Sequence, residues 1–145
     1  FWSAALSTPR ARAARREARE DVGRVLALLG MSEKSRAVAR NLSYGDQKML
    51  GIAIALATRP RLLLLDEPAA GMNAHEALRL MDIIRAIQAT GVTVMLVEHN
   101  MRLVMNVSHR LLVLNYGELI AEGSPEEVRG NPQVLEAYLG TKAHA

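Results

Sequence analysis

Two adjacent carboxylates follow a run of four leucines in this sequence. Leu62–Leu65 precede Asp66 and Glu67, and Pro68 ends the segment. A short apolar run between turn-forming residues predicts a buried strand, and open α/β sheets bind their ligands at the carboxyl ends of strands. There, Asp66 could ligate Mg²⁺, and Glu67 could polarise a water molecule for attack on a phosphate. The alternative is a strand that ends in a solvated acidic turn.

A histidine follows the next apolar run along the chain. Val92–Val97 is rich in β-branched residues and predicts a second buried strand, after which Glu98 and His99 follow. Neighbouring parallel strands would bring His99 level with Asp66 and Glu67, where its ring could donate a hydrogen bond to a γ-phosphate. A lone histidine at a strand end is more often structural, but this alignment with two carboxylates favours a functional role.

The start of a helix upstream is a third candidate site. Ser43, Tyr44, Gly45 and Asp46 open a helix that we expect to run to about Thr58. A helix N-terminus with a serine hydroxyl and a permissive glycine backbone can bind an anion. Taken alone the pattern is weak, because serine is also an ordinary N-cap residue.

The elements that must position these residues alternate between helix and strand. Met49–Ala57 is apolar on every side, which predicts a buried helix. A hairpin is predicted where two short apolar runs flank Asn115–Glu118, and Ser124–Glu127 is a capping box. The predicted helices are 9–29, 43–58, 75–90, 100–107, one from 124 and one from 131 that Gly140 ends. The order predicts an α/β fold with a parallel-sheet core, flanking helices, a helical segment first and a β-hairpin with helices last.

The composition excludes several classes of function. The chain has 145 residues and no cysteine, which excludes disulfides, thiolate metal sites and cysteine nucleophiles. Only 3% of the residues are aromatic, which excludes nucleic-acid binding on a stacking platform. The basic run from Arg10 to Arg19 suggests nucleic acid or an anionic membrane, but its interspersed alanines and glutamates favour a solvated helix face. No apolar run reaches the roughly 18–20 residues of a membrane-spanning helix.

In order and spacing, these segments resemble the second half of an ABC-transporter nucleotide-binding domain, a P-loop NTPase cassette. Leu42–Gln47 resembles the signature motif, Leu62–Pro68 the Walker B motif, Ala69–Asn73 the D-loop and His99 the switch histidine. Within that family, Ala-Ala-Gly-Met-Asn and Val-Glu-His-Asn-Met resemble the ATP-binding subunit of branched-chain amino acid importers. The sequence contains no Gly-x-x-x-x-Gly-Lys-Ser/Thr and opens on Phe-Trp, so we expect an N-terminal half that carries the P-loop.

The resemblance implies a role for each matching position around ATP. Asp66 would hold Mg²⁺, Glu67 would be the catalytic base and His99 would contact the γ-phosphate. The signature residues would face the ATP of a partner subunit, and the D-loop residues would communicate across the dimer. The first group is Ser43, Tyr44, Gly45 and Asp46; the second is Gly71, Met72 and Asn73. Asp46 stands where the signature usually has glutamine, and it places a negative charge near the phosphate.

The function implied is that of the ATPase subunit of an ABC importer for branched-chain or related amino acids. Its partners would be a second ATPase subunit and transmembrane permease subunits, not nucleic acid, at the cytoplasmic face of the membrane. Without the P-loop half we expect this chain alone to be inactive. The alternative is a truncated cassette that pairs with others but does not hydrolyse ATP. The expected divisions are a helical segment at 1–58, an α/β core at 59–123 and C-terminal helices at 124–145.

Overall fold

The computed structural model describes residues 8–139. The chain divides into two compact units, residues 1–96 and 97–145. The α/β class predicted from the sequence is confirmed, with helices around two small sheets. The three divisions expected from the sequence, 1–58, 59–123 and 124–145, stay a prediction.

Three helices make up most of the first unit. They are α1 (Pro9–Leu28), α2 (Tyr44–Ala57) and α3 (Ala74–Ala89). The Thr8 hydroxyl caps α1 by accepting a hydrogen bond from the Ala11 amide at 3.2 Å, and proline suits the first turn. α1 contacts both α2 and α3. The connector between α1 and α2 contains the 3₁₀ turns Ser32–Lys34 and Ala39–Asn41.

The predicted helix boundaries agree with the structure to within a residue or two, whereas the predicted burial of α2 on every side is wrong. Met49, Ile52 and Leu56 are buried, but Ile54 is 64% exposed. The described residues cover only one face of α2, so the apolar side chains on the opposite face stay in contact with solvent. α3 buries apolar side chains that recur at helical spacing, among them Leu80, Ile83, Ile84 and Ile87.

The first unit also contains the two strands expected at the candidate site, except for the last residue of the second strand. These are β1 (Leu62–Asp66) and β2 (Thr93–Val97), which are neighbours in one sheet. The prediction that these two strands are buried is wrong in part, because alternate side chains of each strand are exposed. Leu63 and Leu65 are buried, whereas Leu62 and Leu64 are 50% and 65% exposed. Successive strand side chains point to opposite faces, and the described residues cover only one of them.

The second unit is built on the predicted hairpin. Its elements are α4 (Met101–Val107), β3 (Leu111–Asn115), β4 (Glu118–Gly123), α5 (Pro125–Arg129) and α6 (Pro132–Leu139). β3 and β4 pair antiparallel through a turn whose central residues, Tyr116 and Gly117, both have positive φ, as a tight hairpin turn requires. Val113, Val128 and Val134 form its core, and the predicted capping box at the start of α5 is present. The predicted helix end at Gly140 lies outside the described residues.

Among residues 8–139, no helix is both long enough and apolar enough to cross a membrane.

Candidate functional site

The start of α2 carries the signature-like residues, and Ser43 caps it. The Ser43 hydroxyl oxygen accepts a hydrogen bond from the Asp46 amide at 3.2 Å, and the hydroxyl donates to Asp46 Oδ2 at 2.7 Å. The Gln47 side chain donates to the Leu42 carbonyl at 3.0 Å, which closes the same turn. Ser43 therefore caps α2 and is also exposed to solvent.

The negative charge that the sequence places at Asp46 is paired within the first unit. The Asp46 side chain is buried at 7% exposure. Lys34 Nζ donates to Oδ2, and Arg79 Nη1 lies 3.5 Å from Oδ1. Hydrogen bonds from Lys34 and Ser43 lower the pKa of Asp46 below its ordinary value, against the opposing effect of burial. The ionised Asp46 carboxylate on α2 therefore links this helix to the Ser32–Lys34 turn and to α3.

Gly45 sits where α2 comes close to the start of α3. A Cβ on Gly45 would lie 2.7 Å from Glu76 Oε1, so a larger residue there would require the Glu76 side chain to shift. Glu76 is held there by a capping box: the Asn73 amide donates to Glu76 Oε2 at 2.9 Å, and the Glu76 amide donates to Asn73 Oδ1 at 3.0 Å. A cavity of about 90 Å³, bordered by Lys34, Ser43 and other residues of this unit, lies beside these residues.

The two candidate catalytic carboxylates lie where the sequence placed them. Asp66 is the last residue of β1, Glu67 is the first residue beyond it, and both are exposed. Glu67 has φ +42°, in the left-handed region that non-glycine residues seldom adopt. The Ala70 amide donates to the Glu67 carbonyl at 3.1 Å and closes a turn there. Strained backbone of this kind concentrates at functional sites.

A lysine that the motif comparison did not single out connects α2 to this turn. Lys48 Nζ donates to three backbone carbonyls: Glu67 at 3.2 Å, Pro68 at 3.2 Å and Ala70 at 2.7 Å. It also lies 5.3 Å from the centre of the Tyr44 ring, within cation–π range. The sequence offers one signal for it, because Lys48 is the only charged residue between Asp46 and Arg59.

The D-loop-like residues follow the same turn and contact the signature-like segment. Gly71 has φ +75°, and a Cβ there would lie 3.0 Å from Tyr44 Cε1. The Met72 side chain borders the cavity beside Ser43, and Asn73 is the N-cap of α3. The first unit therefore brings the signature-like and D-loop-like segments together, joined by side-chain to backbone contacts.

His99 belongs to the second unit. The Glu98 carboxylate accepts hydrogen bonds from the His99 and Asn100 amides, both at 3.2 Å. Asn100 then caps α4 by accepting a hydrogen bond from the Leu103 amide at 3.1 Å. These contacts hold the backbone of the exposed His99 between β2 and α4. That His99 lies level with Asp66 and Glu67 stays a prediction.

The residues around Asp66 suit Mg²⁺ only as part of a nucleotide complex. Within residues 8–139, no group of three or more His, Cys, Asp or Glu side chains could hold a metal ion. Mg²⁺ is commonly bound by one or two carboxylates together with substrate phosphates, rather than by a cage made only of protein. An exposed carboxylate at a strand end is consistent with that arrangement.

Two family models match this sequence. The model described as "ABC transporter" matches residues 3–70, which include the signature-like and Walker-B-like segments. The model described as "Branched-chain amino acid ATP-binding cassette transporter" matches residues 118–144, which begin at β4.

Individual relatives agree with these two models. The chain is 44% identical over 141 residues to the high-affinity branched-chain amino acid transport ATP-binding protein LivG of Salmonella typhimurium, covering 97% of this chain and 55% of the relative. It is 43% identical over 141 residues, with the same coverage, to BraF of Pseudomonas aeruginosa, described in the same words. Among solved structures, an ATP-binding cassette of an ABC transporter in its ADP conformation superposes with a TM-score of 0.77 at 32% identity, over 86% of this chain and 50% of that one.

The fold and these matches define the class: the chain is the C-terminal part of an ATP-binding cassette of the ABC-transporter family. Within that family it resembles the ATP-binding subunits of branched-chain amino acid importers. The chain spans about half the length of the curated relatives it matches.

Proposed function

We propose that the full-length protein containing this chain is the ATP-hydrolysing subunit of an ABC importer that energises uptake of branched-chain or related amino acids. One observation carries the proposal: Asp66 ends β1, and Glu67 follows it in a left-handed turn that is tied to the signature-like helix. The match at 118–144 and the names of the relatives support the amino-acid class.

In this proposal the two carboxylates have different tasks. Asp66 holds Mg²⁺ together with the phosphates of ATP, and the bound ion neutralises charge on those phosphates. Glu67 orients and polarises the attacking water as a general base, and His99 donates a hydrogen bond to the γ-phosphate. The ordered backbone around Glu67 supports its assignment, because a base must be positioned before its proton affinity matters.

The signature-like residues act on a second subunit in this proposal. Ser43, Tyr44, Gly45 and Asp46 approach the γ-phosphate of ATP bound by the partner, using the N-terminal end of α2. Gly71, Met72 and Asn73 carry the signal between the two sites. Permease subunits complete the transporter, and the ATPase lies peripherally at the cytoplasmic face of the membrane.

Replacing Glu67 by glutamine in the full-length transporter tests the assignment. Glu67→Gln keeps the shape of the side chain and removes its basic oxygen, so ATP turnover should fall by about 10²-fold or more while ATP binding is retained. Uptake of radiolabelled leucine into vesicles that contain the transporter should fall with it. Glu136→Gln on the exposed side of α6 is the matched control and should leave both rates unchanged. Turnover by Glu67→Gln near the wild-type rate would show that Glu67 is not the base.

A second candidate is a cassette that pairs with others but does not hydrolyse ATP. It would use the same signature-like and D-loop-like segments for pairing. Under either candidate we expect the 145-residue chain alone to be inactive. Sequencing the reading frame upstream of Phe1 separates the two, because a P-loop encoded there supports the hydrolase.

A further inference from the structure

Lys48 occupies a place in the first unit that the roles assigned above leave unused. It is half-buried on α2, one turn beyond Tyr44, and the neighbouring residues 49–58 carry no charge. An ammonium group has three hydrogens to donate, and Lys48 Nζ has three carbonyl acceptors within 3.2 Å. All three acceptors belong to the turn that begins at Glu67.

That turn needs external support. Glu67 has φ +42°, and it precedes Pro68, whose ring disfavours helical conformations of the residue before it. Within the turn, the Ala70 amide donates to the Glu67 carbonyl at 3.1 Å, and Lys48 donates to the same oxygen. Pro68 is buried and Ala70 half-buried, so their carbonyls have limited access to water that could replace the lysine.

From these contacts we infer that Lys48 is a positioning residue, which fixes the backbone turn of Glu67 and thereby aims its carboxylate at the attacking water. The inference rests on the proposed function, since it assigns Lys48 an effect through Glu67. Asp66 lies on β1 and precedes the turn, so nucleotide binding through Asp66 does not depend on Lys48. Because Lys48 belongs to α2, the same contacts join the signature-like segment to the turn that carries the base.

A kinetic comparison in the full-length protein tests this role. Lys48→Met keeps the length of the side chain and removes its three donors. We expect kcat for ATP hydrolysis to fall about tenfold to a hundredfold, the scale that a misplacement of about 1 Å produces, while KM and the Kd for ATP stay within about twofold. Arg85→Met, which removes an exposed cation from α3, is the matched control and should leave kcat unchanged.

A double-mutant cycle separates positioning from a general structural effect. If Lys48 acts through Glu67, adding Lys48→Met to Glu67→Gln should lower the residual turnover by less than about twofold. A further tenfold loss in that background would overturn the inference, as would a wild-type kcat in Lys48→Met or a fall in ATP affinity as large as the fall in kcat. If Lys48→Met does not fold, Lys48→Gln is taken through the same assays and judged by the same criteria.

The arms of this experiment also separate the two proposals. A wild-type protein without ATPase activity, or a Glu67→Gln variant with normal turnover, contradicts the proposed function. When both behave as proposed and Lys48→Met alone retains wild-type kcat, only the role of Lys48 is refuted.

Discussion

Asp46 provides a quantitative test of how the first unit is held together. Asp46→Asn keeps the shape of the side chain and removes the charge that Lys34 and Arg79 contact. Hydrogen bonds to charged groups contribute about 1.5–3 kcal/mol when protected, and exposed ion pairs about 0–1 kcal/mol. Because the Lys34 and Arg79 side chains are 40% and 39% exposed, we assign about 1 kcal/mol to each contact. The expected loss in free energy of unfolding is therefore about 2 kcal/mol.

The loss should appear as a shift in thermal unfolding of the full-length protein. For chains of 150–250 residues, 1 kcal/mol corresponds to about 2–4 °C, so Tm should fall by about 4–8 °C at pH 7. Asp82→Asn is the matched control, because Asp82 is 78% exposed and pairs with Arg85 within one helix. That variant should stay within about 0.5 kcal/mol of the wild type.

The pH dependence gives the test a second, independent part. Lys34 and Ser43 lower the pKa of Asp46, so the unfolded state binds more protons at this site than the folded state. The stabilisation is therefore fully present above the ordinary aspartate pKa of about 3.9 and is lost as pH falls through the lowered value. The difference between wild type and Asp46→Asn should stay constant from about pH 7 to 5 and shrink below about pH 4. Equal Tm values at pH 7, or a difference that does not shrink in acid, would refute the ion-pair argument.

Two further predictions concern the segments that we expect to face a partner subunit. Ser43→Arg adds bulk at the start of α2 and should block the approach of a partner subunit. In a Glu67→Gln background, where ATP persists, it should abolish an ATP-dependent dimer in size-exclusion chromatography while the monomer keeps its affinity for ATP. If the dimer persists despite this change, Ser43 acts only as an N-cap. Gly71→Ala should lower the free energy of unfolding by about 1–2 kcal/mol, measured by urea titration, because φ is +75° and the new Cβ meets Tyr44 at 3.0 Å. Stability equal to wild type would contradict that backbone argument.

The elements that could be predicted from the sequence are those set by local signals. Pro9 marks a first turn, Ser43 and Ser124 are N-caps, and Gly91 follows α3 with φ +88°. Each signal acts within one turn of the backbone, so helix ends agree with the structure to within a residue or two. The hairpin has the same local character, because its turn needs two residues with positive φ.

Burial could not be predicted in the same way, because it depends on which elements cover a face. Four consecutive leucines at 62–65 indicate a strand but do not tell which face is covered, and the structure covers only that of Leu63 and Leu65. Ile54 on α2 presents the same case, since an apolar residue in a helix is buried only where another element packs on it.

Some residues of the candidate site could be proposed from the sequence, and others became visible only in the structure. Asp66, Glu67 and Ser43 could be proposed as site residues from their types and spacing, because the chemistry expected of each is carried by its own side chain. Lys48 was missed because its three acceptors are backbone carbonyls, which leave no mark on residue type. The partners of Asp46 were missed for another reason: Lys34 lies 12 residues before it and Arg79 lies 33 residues after it.

These partners change how Asp46, which stands where the signature motif usually has glutamine, affects an approaching phosphate. From the sequence, an aspartate in place of glutamine places a negative charge beside Ser43. In the structure two cations, Lys34 and Arg79, contact that one carboxylate and offset its charge, and the Glu76 carboxylate beside Gly45 brings the formal charge of these four side chains to zero. Because the lowered pKa keeps Asp46 ionised at neutral pH, its pairing with these two cations is retained under physiological conditions. An anion that approaches the start of α2 therefore meets a helix N-terminus beside an Asp46 carboxylate that is already paired with two cations, so Asp46 is compatible with phosphate binding there.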